Sequence, residues 1–167
     1  MNEVTTQDMM DCREHRAALQ ASLRRQFPGN PVLSFCMNIP GPIKTDDEIR
    51  SAFEVGKNNI LSALLQNSWQ VEQEYEVHEK TGDEWIASIQ ADAIFLKQAM
   101  CAIEEKHPLG RLFDIDIIDT AGEKLTRTHY RTCLICQKQA LDCARSRCHS
   151  ISELFVKVKE LIHEGIP

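Results

Sequence analysis

Two aspartates separated by one residue, Asp114 and Asp116, are the residues of this sequence best suited to bind a metal ion. They lie in an apolar run that predicts a β-strand over residues 111–119. Because alternate residues of a strand point to the same face, both carboxylates face one side while Ile115 faces the other. Carboxylate oxygens are ligands that Mg²⁺ prefers. The pattern predicts a magnesium site with two catalytic aspartates, and a pair of exposed acids on an edge strand is the alternative.

Basic residues surround this strand, although the whole chain carries a net charge of −6. Arg111 precedes the aspartates, Arg127 follows the next turn, and Arg145 and Arg147 lie further along the chain. Arginine suits bidentate contacts to phosphate. Lys44 is a fifth candidate because it ends a proline–glycine loop before a predicted helix N-terminus, where free N–H groups favour an anion. For that loop alone, a rigid turn with an exposed lysine is the simpler interpretation. Together, metal-binding acids and phosphate-binding cations indicate phosphoryl or nucleotidyl transfer.

A cysteine-rich segment follows this region. Cys133, Cys136, Cys143 and His149 have the spacing C-x₂-C-x₆-C-x₅-H, which would supply the four tetrahedral ligands of a structural zinc site. Free thiols, buried or exposed, are the alternative. A redox C-x-x-C motif normally follows a strand in a thioredoxin-like βαβ unit, which this part of the sequence does not show.

Hydrophobic periodicity predicts the elements that must position these residues. Strands are expected at residues 32–37, 69–78, 84–89 and 111–119, and the second strand alternates apolar with acidic residues, which predicts one apolar face. Thr45, Asp92 and Ser150 are the predicted N-caps of three helices, and a further helix is predicted over residues 6–27. We expect an α+β fold whose mainly antiparallel sheet is of the split βαβ (ferredoxin-like or nucleotidyltransferase-like) type, followed by a hairpin, a cysteine-rich segment and a terminal helix.

Length and composition favour a single domain over residues 1–167, since 43% of the 167 residues are hydrophobic and 26% are charged. Its parts are an N-terminal helix in residues 1–30, an α+β core in residues 31–128, and a cysteine-rich loop and helix in residues 129–167. No apolar run approaches the roughly 18 residues of a membrane helix, and the acidic start does not resemble a secretory signal, so we expect a cytoplasmic protein. Seven cysteines then indicate free thiols or metal ligands, and the acidic balance argues against nucleic acid and membranes as partners.

Three ordered blocks of sequence resemble the apo-citrate lyase phosphoribosyl-dephospho-CoA transferase family, also called the holo-acyl-carrier-protein synthases of citrate lyase. They are residues 38–44 (NIPGPIK), residues 107–117 (HPLGRLFDIDI) and residues 133–149, which contain CLIC, CARSR and His149. The resemblance extends from about Arg13 to Leu154. Ile117 replaces an expected valine and Cys148 lies outside the pattern, but neither departure affects the two aspartates.

The resemblance implies a reaction in which 2′-(5″-triphosphoribosyl)-3′-dephospho-CoA donates its phosphoribosyl-dephospho-CoA part to a serine of the citrate lyase acyl carrier protein (the gamma subunit), releasing diphosphate. In that reaction Asp114 and Asp116 would hold Mg²⁺, with Glu74, Glu76 or Asp119 as a candidate third ligand. The arginines named above and Lys44 would bind phosphates, and the partner protein would supply the nucleophile.

Three other functions fit parts of the sequence. A zinc-knuckle adaptor without catalysis would need the cysteine cluster and tolerate loss of the aspartates. A metal-dependent nucleotidyltransferase acting on another carrier, such as that of malonate decarboxylase, is a second alternative. A ferredoxin-like regulatory module would need no metal at either place.

Overall fold

The computed structural model describes residues 3–166. Its sheet is fully antiparallel and has four strands in the order β2-β3-β1-β4: β1 (Val32–Met37), β2 (Gln70–Glu79), β3 (Gly82–Gln90) and β4 (Phe113–Ile118). The helices are α1 (Thr6–Gln26), α2 (Asp47–Gln66), α3 (Ala93–Lys106), α4 (Ala140–Ser146) and α5 (Ile151–Gly165). The central β1-α2-β2-β3-α3-β4 order with this strand arrangement is the predicted ferredoxin-like split βαβ fold.

The two faces of the sheet bury different sets of side chains. Helices α2 and α3 cover the larger core, where Phe35, Phe53 and Phe113 are fully buried and their rings pack together. Gly56 allows α2 to approach the sheet closely, because a Cβ atom there would lie 2.6 Å from the ring of Phe35. On the other face α1 inserts Leu23 into a smaller cluster around β1 and β3. The aspartate side chains of β4 lie on this second face, opposite the main core.

The predicted single apolar face of β2 is wrong, because the strand contains a bulge. The register with β3 shifts between Val71 and Gln73, and each such shift moves the following side chains to the other face. Val71 therefore packs against the main core and Tyr75 against the α1 cluster. Glu74 and Glu76 pair with Ala87 and Trp85 and lie on the α2 side of the sheet.

The predicted caps of α3 and α5 are confirmed, and that of α2 is displaced by one residue. Asp92 accepts hydrogen bonds at the start of α3, and Ser150 forms a capping box with Glu153. Asp46 caps α2 through the N–H of Ile49, whereas the Thr45 hydroxyl donates to Asp83 instead. A carboxylate caps better than a hydroxyl here because its negative charge also complements the helix dipole.

The chain after β4 is mostly irregular. The predicted hairpin is reduced to one bridge between Ile118 and Lys124, and α4 is a short helix that hydrophobic periodicity did not predict. Gly41, with φ +86°, lets the proline–glycine loop pack on the start of α5, since a Cβ there would lie 2.8 Å from Ile151. Val158 and Ile162 then bury α5 against the main core. Among the described residues, none of the helices has the length and apolar character needed to cross a membrane.

Candidate active site

A cavity with a volume of about 1260 Å³ lies between β4, the segment after it and the start of α5. Both aspartates of β4 line it. So do six cationic side chains, contributed by Lys97, Arg111, Lys124, Arg127, Arg131 and Arg147. A chain with a net charge of −6 thus concentrates positive charge around one concave surface. Such a cavity attracts anions because the low-dielectric walls focus the field.

The paired carboxylates lie on one face of β4, as the alternation predicts. Asp114 lies opposite Cys36 of β1, whose Sγ is 3.9 Å from Asp114 Oδ2. Burial raises the pKa of the Cys36 thiol to about 12, and Asp114 adds to the rise against the opposing effect of Arg16. Asp116 Oδ2 lies 2.7 Å from Lys124 Nζ. The thiol therefore stays neutral beside Asp114, while a lysine compensates the charge of Asp116.

A buried carboxylate from α3 organises two of the arginines. Glu104 Oε2 accepts from Arg127 at 2.6 Å, and Oε1 accepts from Arg131 at 3.0 Å and from the N–H of Ile115 at 3.0 Å. Burial raises the pKa of Glu104 above its ordinary value, while the charge of Arg131 opposes this rise. Lys97 of the same helix donates to the carbonyl of Ile115 at 3.1 Å. Charged side chains thereby satisfy backbone groups of Ile115 on the open edge of β4, and the two arginines are held at the cavity that the aspartates also line.

Arg111 is only partly satisfied by its surroundings. Its Nη2 donates to the carbonyl of Thr132, but its buried Nη1 has no hydrogen-bond partner among the described residues. Burial lowers the pKa of Arg111, and the positive charges of Arg131 and Arg127 lower it further. A bound anion would relieve both the missing hydrogen bond and the repulsion.

The structure brings three of the five predicted phosphate ligands to the cavity, namely Arg111, Arg127 and Arg147. Arg147 adopts a left-handed conformation (φ 50°) that ends α4, and it reaches the cavity wall. Arg145 is exposed on α4 and does not line the cavity. Two residues apart on a helix point about 200° apart, so both arginines could not face the same way within α4.

Lys44 is also outside the cavity. Its ammonium group donates to the carbonyl of Ile39 at 2.7 Å, and burial together with the nearby charge of Arg13 lowers its pKa. The predicted anion site at the start of α2 is taken by the Asp46 cap and by Lys159, which binds both Asp46 and Glu48. The proline–glycine loop instead contributes its beginning to the cavity, through Asn38 and Pro40.

Sequence reasoning did not propose Arg131, Lys97, Lys124, Glu104 or Cys36 as site residues. One signal was available for α3: Lys97, Met100 and Glu104 recur at helical spacing on one face, and all three are buried. Two charges on an apolar helix face need partners, and here these are the backbone of β4 and the arginines. No comparable local pattern marks Arg131 or Cys36, because their neighbours come from distant parts of the chain.

The three residues predicted as candidates for a third magnesium ligand lie outside the cavity. Glu74 accepts from Trp85 Nε1 at 2.7 Å, and Glu76 lies 2.5 Å from Lys57 Nζ, both at the opposite edge of the sheet. Asp119 accepts from the N–H of Glu123 at 2.8 Å and shapes the turn after β4. None of these three lines the cavity.

The predicted zinc ligands converge at the cavity wall. Ligand atoms of Cys133, Cys136, Cys143 and His149 all lie within 4.8 Å of one another. Burial raises the pKa of Cys133, but N–H groups of Cys136 and Ile135 hydrogen-bond its sulfur and bring the pKa down to about 7. Hydrogen bonding with Cys136 raises the pKa of Cys143 to about 12. The seven thiols, all of which lie within residues 3–166, are free in the structure.

Comparison with known proteins assigns the family. The profile of the family described as "Apo-citrate lyase phosphoribosyl-dephospho-CoA transferase" matches residues 4–165. A relative of that name from Citrobacter koseri is 34% identical, over 97% of this chain and 90% of the relative. Relatives of the same name from Escherichia coli O139:H28 and Shigella boydii serotype 18 are each 33% identical, over 96% of this chain and 90% of their own length. The chain therefore belongs to the apo-citrate lyase phosphoribosyl-dephospho-CoA transferase family.

Proposed function

We propose that this chain transfers the phosphoribosyl-dephospho-CoA group from 2′-(5″-triphosphoribosyl)-3′-dephospho-CoA to a serine of the citrate lyase acyl carrier protein, its gamma subunit. The names of the family and of its relatives support a transferase that acts on apo-citrate lyase. The identity of the donor, the release of diphosphate and a cytoplasmic location are parts of the proposal that go beyond these names.

The reaction is a substitution at the phosphorus nearest the donor ribose. The serine oxygen forms a bond to that phosphorus, and the bond from it to the next bridging oxygen breaks. Diphosphate leaves with the electron pair of that bond, and the serine proton passes to water. The main requirements are neutralisation of the triphosphate and correct orientation of the two oxygens.

The observation that carries the proposal is the convergence of six cations on the cavity that contains Asp114 and Asp116. Arg111, with a buried guanidinium N–H unpartnered among the described residues, is the strongest candidate for a direct phosphate contact. Arg127 and Arg131 approach the same cavity while anchored on Glu104, so their guanidinium groups need little reordering when an anion binds. Preorganised donors of this kind stabilise charge that develops on the leaving diphosphate.

The two aspartates fit a magnesium ion by the chemistry of their donor atoms. Both carboxylates line the cavity among the phosphate-binding candidates, and hard oxygen ligands together with substrate phosphates are the usual surroundings of Mg²⁺. When bound, Mg²⁺ would supply charge neutralisation for the triphosphate and the departing diphosphate. Lys124, which lies beside Asp116, would then be released to contact a phosphate oxygen.

The rest of the cavity suits the dephospho-CoA part of the donor. Its wall also contains the apolar side chains of Leu125, Leu134, Leu141, Ile151 and Leu154. A volume of about 1260 Å³ exceeds the roughly 300–1000 Å³ of typical drug-sized ligand pockets, as a long nucleotide-containing donor requires. Apolar walls with a few convergent polar groups are typical of such sites.

Intact-mass measurement of apo acyl carrier protein tests the proposal directly. Apo carrier, this protein and the triphosphoribosyl donor are incubated with Mg²⁺ or with a chelator, and the malonate decarboxylase carrier is added in a competition arm. We expect a mass gain equal to the phosphoribosyl-dephospho-CoA group, requiring both protein and cation, with the citrate lyase carrier modified in preference. No mass gain would overturn the proposed transfer. The same mass gain in the presence of chelator would overturn its metal requirement.

A further inference from the structure

We infer that Cys133, Cys136, Cys143 and His149 bind one structural zinc ion, and that this ion holds a wall of the cavity in place. The metal assignment is independent of the proposed function. The consequence for donor binding rests on that function.

The distances between the donor atoms suit a tetrahedral metal. Cys136 Sγ lies 3.4 Å from Cys143 Sγ and 3.4 Å from His149 Nε2, and all four donor atoms lie within 4.8 Å of one another. A tetrahedron with Zn–S bonds of about 2.3 Å has edges of roughly 3.8 Å, so only small shifts are needed to bind zinc. Four protein donors fill the coordination sphere, as in structural rather than catalytic zinc sites.

The local backbone arranges the first two thiols as metal ligands. A bridge between Thr132 and Gln139 closes the loop that carries them, and the N–H of Cys133 donates to the carbonyl of Lys138 at 2.7 Å. The N–H of Ile135 points at Cys133 Sγ, 3.4 Å away. Backbone N–H groups directed at a sulfur stabilise the thiolate form, which is the form that binds metal.

The segment between His129 and Ser150 lacks an apolar core of its own. Of its residues, only Cys143 is buried. Short segments without a core are commonly held by disulfides or by a metal. A disulfide would join two of the three clustered thiols at about 2.05 Å and leave the third thiol and the imidazole without a role. One zinc ion uses all four groups.

The zinc site and the anion site share a wall. Cys133, Cys143 and His149 line the cavity. Thr132, next to Cys133, accepts a hydrogen bond from Arg111, and the carbonyl of Arg131 accepts from the N–H of Ala140 in α4 at 2.8 Å. Zinc would therefore fix the backbone around the cavity arginines. Loss of zinc is expected to loosen them and to weaken donor binding.

Metal analysis of tag-free protein tests the assignment, with Cys136→Ser as the variant and Cys148→Ser as its matched control. Cys148 belongs to the same segment, but it is exposed and is not among the four clustered residues. We expect about one zinc ion per chain in the wild type and in Cys148→Ser, and a loss of that zinc in Cys136→Ser. Equal zinc contents in the two variants would overturn the ligand assignment. Iron in place of zinc, or a disulfide among the three thiols, would overturn the assignment of zinc to this site.

Cobalt substitution provides a measurement that needs no variant. Wild-type protein freed of metal and titrated with Co²⁺ should develop thiolate-to-cobalt charge-transfer absorption and visible bands of a tetrahedral ion, which zinc then abolishes. An octahedral spectrum without thiolate bands would contradict the site. The carrier-modification assay, run in parallel with saturating Mg²⁺, separates the two proposals. If the wild type binds zinc but transfers nothing when both metals are present, only the proposed function is refuted. If zinc-free protein transfers at the full rate and binds the donor with full affinity, only the role of zinc in the cavity is refuted.

Discussion

The two edge strands of the sheet both carry acidic residues two positions apart, yet their surroundings differ completely. On β4, Asp114 and Asp116 open onto a cavity lined by six cations. On β2, Glu74 is bonded to Trp85, and Glu76 is paired with Lys57 and with His78 Nε2 at 3.1 Å. Glu54, Glu76 and His78 even come close enough to one another to hold a metal. That cluster does not line the cavity with the six cations, so it is separated from the second component of the proposed phosphate-transfer site.

This difference shows that an alternating acidic pattern does not specify a site by itself. The β2 carboxylates are engaged by Trp85 and Lys57 away from the cavity. The β4 carboxylates also have partners, Cys36 and Lys124, but they line a cavity in which Arg111 keeps an N–H that is unpartnered among the described residues. Four experiments test this contrast.

Removing the charge of one β4 aspartate should abolish transfer. Asp114→Asn preserves the size of the side chain but removes a metal ligand, and we expect the rate of carrier modification to fall by about 100-fold or more. Glu76→Gln on β2 is the matched control and should retain the wild-type rate. The rate is measured by intact mass in excess Mg²⁺. Comparable losses in both variants would mean that the two strands do not differ in function.

Neutralising Glu104 should cause the largest loss of stability. Glu104→Gln leaves Arg127 and Arg131 without their buried counter-ion, and we expect unfolding free energy to fall by about 2–4 kcal/mol. Glu76 is 31% exposed whereas Glu104 is 1% exposed, so Glu76→Gln should cost less than about 1 kcal/mol. Urea denaturation followed by tryptophan fluorescence and far-UV circular dichroism measures both. A smaller loss for Glu104→Gln than for Glu76→Gln would contradict the role of Glu104 as the anchor of the arginines.

Replacing one cavity arginine should weaken donor binding by about tenfold, or roughly 1.4 kcal/mol. Arg111→Lys retains the positive charge but loses the planar guanidinium that contacts phosphate in a bidentate manner. Arg145→Lys is the matched control because Arg145 lies outside the cavity. Donor affinity is measured by isothermal titration calorimetry without the carrier. Equal donor affinities for Arg111→Lys and wild type would contradict a bidentate contact between Arg111 and a donor phosphate.

The smallest effect concerns the hairpin that joins β2 to β3. Asp8 lies 2.9 Å from Lys80, and its hydrogen bonds with Lys80 and then with Thr5 lower its pKa from 3.8 to about 2. Because the folded-state pKa is depressed, this stabilisation is present above pH 3.8 and is lost as the pH falls through about 2. Asp8→Asn should therefore be slightly less stable than wild type at neutral pH, the difference should vanish as the pH falls below about 2, and transfer should be unchanged. A stability difference that does not depend on pH would show that the carboxylate charge is not the cause.

Local sequence patterns were enough to predict most secondary-structure elements and the chemistry of their residues. Apolar periodicity set the positions of the four strands and of the longer helices, since burying one face is the dominant local requirement. Alternation along β4 placed Asp114 and Asp116 on one face, and ligand spacing brought Cys133, Cys136, Cys143 and His149 together as candidate zinc ligands. These features depend on neighbours close in the chain.

Which charged groups contact one another depends on the packing of the elements and could not be predicted from local patterns. The bulge in β2 turned Glu74 and Glu76 toward α2, and the packing of α3 on β4 placed Glu104 beneath Arg127 and Arg131. Lys44 and Arg145 have the right chemistry for phosphate but lie outside the cavity. The physical reason is that Coulomb interactions and hydrogen bonds depend on distances of a few ångströms between residues far apart in sequence, which periodicity and motif spacing do not encode.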